Sequence, residues 1–137
     1  MAFNRLRRNR NIKLVILDTS AILMCFEFSI DLNSQILDLI GKCEIKIPKP
    51  IYDEINILSI YGKGVKKNKA KSALKLIKKY KIITIDEIFK SGDDAIFQYA
   101  KILSAYVVTN DKELRKRLKN ELIPVIYLRG KQKLFLE

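Results

Sequence analysis

Short apolar runs alternate along this chain with segments of helical spacing, and that alternation constrains the fold more than anything else. Residues 14–17 (LVIL), 44–47, 81–85, 106–109 and 125–128 read as strands, and most are apolar at nearly every position. Strands that show no polar alternation are buried on both faces, which is the habit of a parallel sheet covered by helices on either side. Helical spacing fills the intervals at 32–40, 51–61, 65–80, 92–103 and 112–120. Pro48 and Pro50 stop the second strand and open the next helix, and Gly62 and Gly64 break that helix from its successor. The tail KQKLFLE adds a candidate edge strand. The expected fold class is α/β, with a mostly parallel central sheet.

With 137 residues, the chain is the size of one domain and can bury about two-thirds of its unfolded surface. Residues 1–12 (MAFNRLRRNRNI) carry four arginines and little apolar periodicity, so they read as a basic arm ahead of a domain at 13–137. No apolar run reaches the ~18 residues of a membrane span. The basic N-terminus lacks the apolar core of a signal peptide, and a cytoplasmic protein without a membrane partner is expected. Cys25 and Cys43 follow no ligand or redox spacing and are expected to be free, buried thiols.

Two compositional facts bear on chemistry. Lys and Arg number 27 against 15 Asp and Glu, a net charge of +12, which points to a polyanionic partner and first of all to nucleic acid. Histidine is absent, so imidazole cannot serve as base, acid or metal ligand. That excludes histidine-based ribonucleases, the usual serine and cysteine triads, and the usual zinc enzymes. Catalysis must rest on carboxylates, lysines or hydroxyls.

In parallel sheets, ligands gather at the carboxyl ends of the strands. Asp18 follows the first strand directly, and Asp111 (in YVVTND) follows the fourth. Neighbouring strands lie ~5 Å apart, so both carboxylates belong to one sheet edge. Each could equally be a helix N-cap. On a helical wheel at about 100° per residue, Glu54 falls within the stripe of Ile51, Ile55, Ile57, Leu58 and Tyr61, whereas Asp53 points away. A buried carboxylate needs a cation or strong donors, and a salt bridge to a lysine is the plain alternative. In SGDDAIFQYA, Ser91 and Asp94 match a capping box, while Asp93 lies nearer the Ile96 and Ala100 side. Asp93 is therefore assigned to the site and Asp94 to the cap. Four carboxylates on one rim repel one another unless a divalent ion neutralises them. Oxygen ligands without imidazole or thiolate select Mg²⁺ or Mn²⁺. In a basic protein such a centre suits phosphodiester hydrolysis. A non-catalytic RNA-binding module would explain the charge but not Glu54.

The segments LDTSAI, IPKPIYDEI, GDDAIFQYA and VVTNDKELRKRL, in that order, resemble the PIN-domain nuclease family from about Lys13 to Leu128. The resemblance implies a three-layer α/β/α sandwich and Mg²⁺- or Mn²⁺-dependent cleavage of single-stranded RNA. It also implies catalytic, metal-binding roles for Asp18, Glu54, Asp93 and Asp111. Ser20 and Thr109 match supporting hydroxyl positions, and Glu113 stands where some members carry a further acid. The second half looks most like the archaeal and eukaryotic PIN nucleases of ribosomal RNA processing, with VapC-like toxins of toxin–antitoxin pairs next. RNA contacts are expected from Arg5, Arg7, Arg8 and Arg10 of the arm and from Arg115, Lys116 and Arg117. The partners implied are RNA (a ribosomal RNA precursor), a second copy of the chain, and an antitoxin or a ribosome-assembly protein.

Overall fold

The computed structural model describes residues 12–89 and 91–137, so the arm arginines Arg5, Arg7, Arg8 and Arg10 lie outside the described residues. Strand β1 (Lys13–Leu17) is followed by helices α1 (Thr19–Glu27) and α2 (Leu32–Ile40), then by β2 (Cys43–Pro48). Helices α3 (Lys49–Tyr61) and α4 (Val65–Ile77) lead to β3 (Lys81–Ile83). Then come α5 (Gly92–Leu103), β4 (Tyr106–Val108), α6 (Lys112–Asn120), β5 (Val125–Arg129) and β6 (Lys133–Leu136). The strands form one sheet in the order β3-β2-β1-β4-β5-β6, parallel throughout except for β6, which runs antiparallel to β5. With its helices this is the three-layer α/β/α sandwich.

The strand order fixes where a site can form. From β1 the chain winds outward to β2 and β3, then crosses back to add β4 and β5 on the other side of β1. Between β1 and β4 the winding reverses, and this is where the loops at the carboxyl ends part to leave a crevice. The centre of the sheet is dry: Val15, Ile16, Leu17, Val107, Val108 and Ile126 are all buried, and Ile36, Ile47, Ile51, Ile55, Ile96, Tyr99, Leu114 and Leu118 complete the core.

The structure corrects the sequence reading in several places. Helix α1 was not expected. Its sequence TSAILMCFE is apolar over most of its length and so carries little amphipathic signal, yet Asp18 caps it through the Ala21 amide (3.0 Å). Strand β3 stops at Ile83 instead of residue 85, because the Ile85 amide leaves the ladder and donates to the Tyr99 hydroxyl at 3.0 Å. Helix α4 ends at Ile77, and Tyr80 closes the turn by donating to the Ile77 carbonyl (3.0 Å). Cys25 is buried and free; Cys43, at the start of β2, is also free but only half-buried. The tail does form a strand, and Gln35 of α2 guards its outer side. That amide accepts from Leu134 N (2.7 Å) and donates to the Gln132 carbonyl (2.8 Å), occupying backbone groups an edge strand would otherwise leave open.

Candidate active site

Leu17 of β1 is in register with Val108 of β4, and the Asp18 amide donates to the Val108 carbonyl at 3.2 Å. The pairing therefore continues one step past the apolar run and brings Asp18 beside Thr109. Thr109 is wholly buried. Its hydroxyl donates to Asp18 Oδ2 and accepts from the Asp111 amide (3.1 Å). Ser20 Oγ donates to Asp18 Oδ1 at 2.7 Å. Asp18 is only 4 % exposed, and burial raises its pKa above the usual 3.8 despite the bonds from Thr109, Ala21 and Ser20 that pull it down. Asp111 caps α6 through the Leu114 amide (3.1 Å). Both strand-end aspartates are thus N-caps, and both also line the crevice.

That crevice, of about 390 Å³, is lined by Asp18, Glu54, Asp93 and Asp111 together with Thr19, Ser20, Ser91, Gly92, Lys66 and the apolar Leu23, Ile51 and Leu58. The four acids singled out from the sequence share one cleft. Asp93 reports the crowding: its pKa is raised first by partial desolvation in the cleft and then by the charges of Asp111, Asp18 and Glu54, with Arg117 opposing. None of the four forms a salt bridge within 4.0 Å among the described residues.

Glu54 is in the cleft for a reason other than the one expected. It is exposed, not buried, and Ile57 and Tyr61 of its supposed apolar stripe are exposed at 56 % and 77 %. The wheel assumed that a neighbour covers the whole stripe; instead the cleft opens along Ile51, Glu54 and Leu58. Two features hold Glu54 there. Thr19 donates to Glu54 Oε2 at 2.8 Å, and Gly92 leaves the carboxylate room, since a Cβ at Gly92 would stand 3.0 Å from Oε2. Asp94 turns away from the cleft. Its amide donates to the capping Ser91 Oγ (3.1 Å), while its carboxylate pairs with Arg117 (3.0 Å), so only one half of the capping box forms.

The basic helix is less free than expected. Arg117 pairs with Asp94 and lies 4.0 Å from the centre of the Phe97 ring; Arg115 pairs with Glu137 (3.4 Å) and lies over Tyr127. Lys116 is exposed. Glu113 lies outside the acidic cleft. It lines a second concavity with Lys112, Arg115, Lys116, Lys119 and Glu137, where it serves as a first-turn helix charge. Thr19, Gly92 and Lys66 were missed. A threonine after a strand-end aspartate and a glycine before an acid pair carry faint signals; a lysine inside a lysine run carries none.

The donor set fits Mg²⁺ or Mn²⁺ in kind: carboxylates and hydroxyls, with no imidazole or thiolate lining the cleft. The acids are gathered but not drawn to one point. Among the described residues no three acidic or thiol side chains already stand close enough to hold an ion. Glu54 and Asp93, both exposed, have the freedom to turn inward.

Residues 15–131 match the family described as PIN like domain. Ribonuclease VapC4 of Methanocaldococcus jannaschii is 35% identical over 122 residues, covering 86% of this chain and 92% of its own length. Ribonuclease VapC9 of Archaeoglobus fulgidus is 27% identical over 130 residues, covering 95% and 93%. Among solved structures, the PIN domain endonuclease Utp24 superposes with a TM-score of 0.78 over 93% of this chain and 92% of that one, at 24% identity. This chain belongs to the PIN-like domain family.

Proposed function

We propose that this protein is a metal-dependent endoribonuclease that cleaves single-stranded RNA, with Asp18, Glu54, Asp93 and Asp111 as its catalytic metal-binding acids. One observation carries the reading: four carboxylates without an ion-pair partner among the described residues line a single crevice at the β1–β4 switch of a chain with net charge +12. Gathering them is costly, as the rise in the Asp93 pKa from the charges of Asp111, Asp18 and Glu54 beside its desolvation indicates, and a divalent cation is what relieves that cost. Bound Mg²⁺ or Mn²⁺ supplies a hydroxide at neutral pH and offsets the charge that develops on the phosphate. Asp18 is held by Thr109, Ser20 and the Ala21 amide, so its carboxylate keeps one orientation. Thr19 holds the Glu54 carboxylate at the cleft, where it would serve as a ligand to a bound ion.

RNA is held outside the cleft by its phosphates. The exposed Lys116 and, by the sequence reading, the arm arginines Arg5, Arg7, Arg8 and Arg10 make these contacts, whereas Arg115 and Arg117 are held by Glu137 and Asp94. The substrate we favour is a ribosomal RNA precursor, on the resemblance of the second half of the sequence to the PIN nucleases of ribosomal RNA processing. The VapC names of the two curated relatives support a second reading, a toxin ribonuclease held in check by an antitoxin.

The test is cleavage of a labelled RNA oligonucleotide with Mn²⁺. Asp18→Asn and Asp111→Asn should each lower the rate by about a hundredfold or more, the upper end of what loss of even an outer partner of a metal ligand costs. Asparagine caps a helix as well as aspartate does, so both variants should stay folded. Glu113→Gln should cleave like wild type. Full activity in Asp18→Asn would refute the assignment. Expression together with the neighbouring reading frames separates the two roles: a small protein that binds the chain and silences cleavage favours the toxin.

A further inference from the structure

Lys66 is the one lysine or arginine that lines the acidic cleft among the described residues, and neither the capping nor the packing of the fold explains its position. It is exposed and takes part in no salt bridge there, although Asp18, Glu54, Asp93 and Asp111 line the same crevice. Helix stability does not account for it. Lys66 stands in the first turn of α4, a helix with no acidic residue in that turn and no side-chain cap, where the positive end of the helix dipole disfavours a cation. A residue that breaks a local rule without a local gain points to a role elsewhere.

The backbone before it is built to deliver it. The turn between α3 and α4 is Gly62-Lys63-Gly64. A Cβ at Gly62 would collide with the Leu58 carbonyl oxygen, and Gly64 has φ of +59°, a conformation that L side chains rarely adopt. These two glycines allow α4 to fold tightly back on α3, so that Leu58 from one helix and Lys66 from the next line the same cleft.

We propose that Lys66 binds the RNA phosphate that enters the crevice it lines together with the four acids. The inference rests on the endoribonuclease reading above. A polyanion must approach a rim of carboxylates, and a cationic side chain in the same crevice offsets the charge of the entering phosphate. The flexible, strongly hydrated ammonium of a lysine suits this role, since it follows the phosphate as a point charge. Any solvated lysine of α4 would serve solubility equally well, so Lys71, exposed on the same helix and outside the cleft, is the matched control.

The experiment compares Lys66→Gln, Lys66→Arg and Lys71→Gln in the full chain. It measures Mn²⁺-dependent single-turnover cleavage of a labelled single-stranded RNA and the salt dependence of RNA binding by fluorescence anisotropy. Lys66→Gln should reduce cleavage about tenfold and flatten the log K against log salt slope by about 0.7, the value for one phosphate contact on a single strand. Lys66→Arg should restore most of both, and Lys71→Gln should change neither beyond a general charge effect. Melting curves check that each variant is folded. If Lys66→Gln and Lys71→Gln behave alike in rate and slope, Lys66 is a solubility residue and the inference falls, even where Asp18→Asn abolishes cleavage. If Asp18→Asn cleaves like wild type, the endoribonuclease reading falls instead, and the slope in Lys66→Gln still decides whether this lysine holds phosphate.

Discussion

Asp93 and Asp94 are adjacent in sequence and belong to different regions of the molecule. Asp93 faces the cleft, among three other carboxylates and without a paired cation among the described residues; Asp94 faces α6 and is paired with Arg117. The contrast extends to the regions themselves. Along α6, Arg115 and Arg117 are paired to Glu137 and Asp94 and stacked on Tyr127 and Phe97. In the cleft, like charges are brought together and have no ion-pair partner among the described residues. Charge neutralised within the fold holds elements together, whereas charge left unneutralised is available to a ligand.

The largest effect that tests this contrast is the response to an ion. Mn²⁺ at about a hundred times its Kd should stabilise the protein by about 2.7 kcal/mol, on the order of 10 °C in melting temperature. In metal-free protein the sign of the pH dependence follows from Asp18 and Asp93. Their folded-state pKa values lie above the ordinary 3.8, so the folded chain binds more protons than the unfolded one between that value and the raised ones. Stability contributed by these groups should fall as pH rises through the window, and Asp18→Asn or Mn²⁺ should flatten the fall. A melting temperature indifferent to Mn²⁺ would remove the distinction between the two regions.

Gly92→Ala gives a smaller effect that separates geometry from stability. The added methyl meets the end of the flexible Glu54 side chain at 3.0 Å. Alanine in the helix gains up to about 1 kcal/mol over glycine. The variant should therefore melt no lower than wild type while cleavage drops several-fold, measured as the rate at saturating Mn²⁺. The smallest effect belongs to Arg117→Gln, which opens an exposed pair worth at most about 1 kcal/mol and should leave the RNA salt slope nearly unchanged. A slope flattened by a full phosphate contact would show that RNA competes with Asp94 for this arginine.

Much of this was legible in the sequence, though not always for the right reason. Asp18 and Asp111 could be read because a dry strand that ends on a carboxylate is conspicuous, and strand order then brought the two together. In the sequence, capping and a site read as alternatives, yet the structure combines both: the cap orients the carboxylate that faces the crevice. Glu54 was found through a wheel that judged it buried. The wheel identifies an apolar line but cannot tell a line covered by a neighbour from one that floors a cleft. Helix α1 escapes because most of TSAILMCFE is apolar and so lacks contrast, and Lys66 escapes because nothing in the sequence sets it apart from the other lysines of its helix.

The bond from Thr109 to Asp18 joins residues 91 positions apart. In time as well as space, the site is therefore assembled late. Synthesis at roughly 5–20 residues per second leaves Asp18 waiting on the order of ten seconds for its partner strand. During that interval β1, β2 and β3 can pair, but nothing stands on the far side of β1 to close the crevice. A chain interrupted before β4 thus lacks Thr109 and Asp111 altogether, and the proposed nuclease cannot act on nearby RNA, its own message included, until the fold is nearly complete.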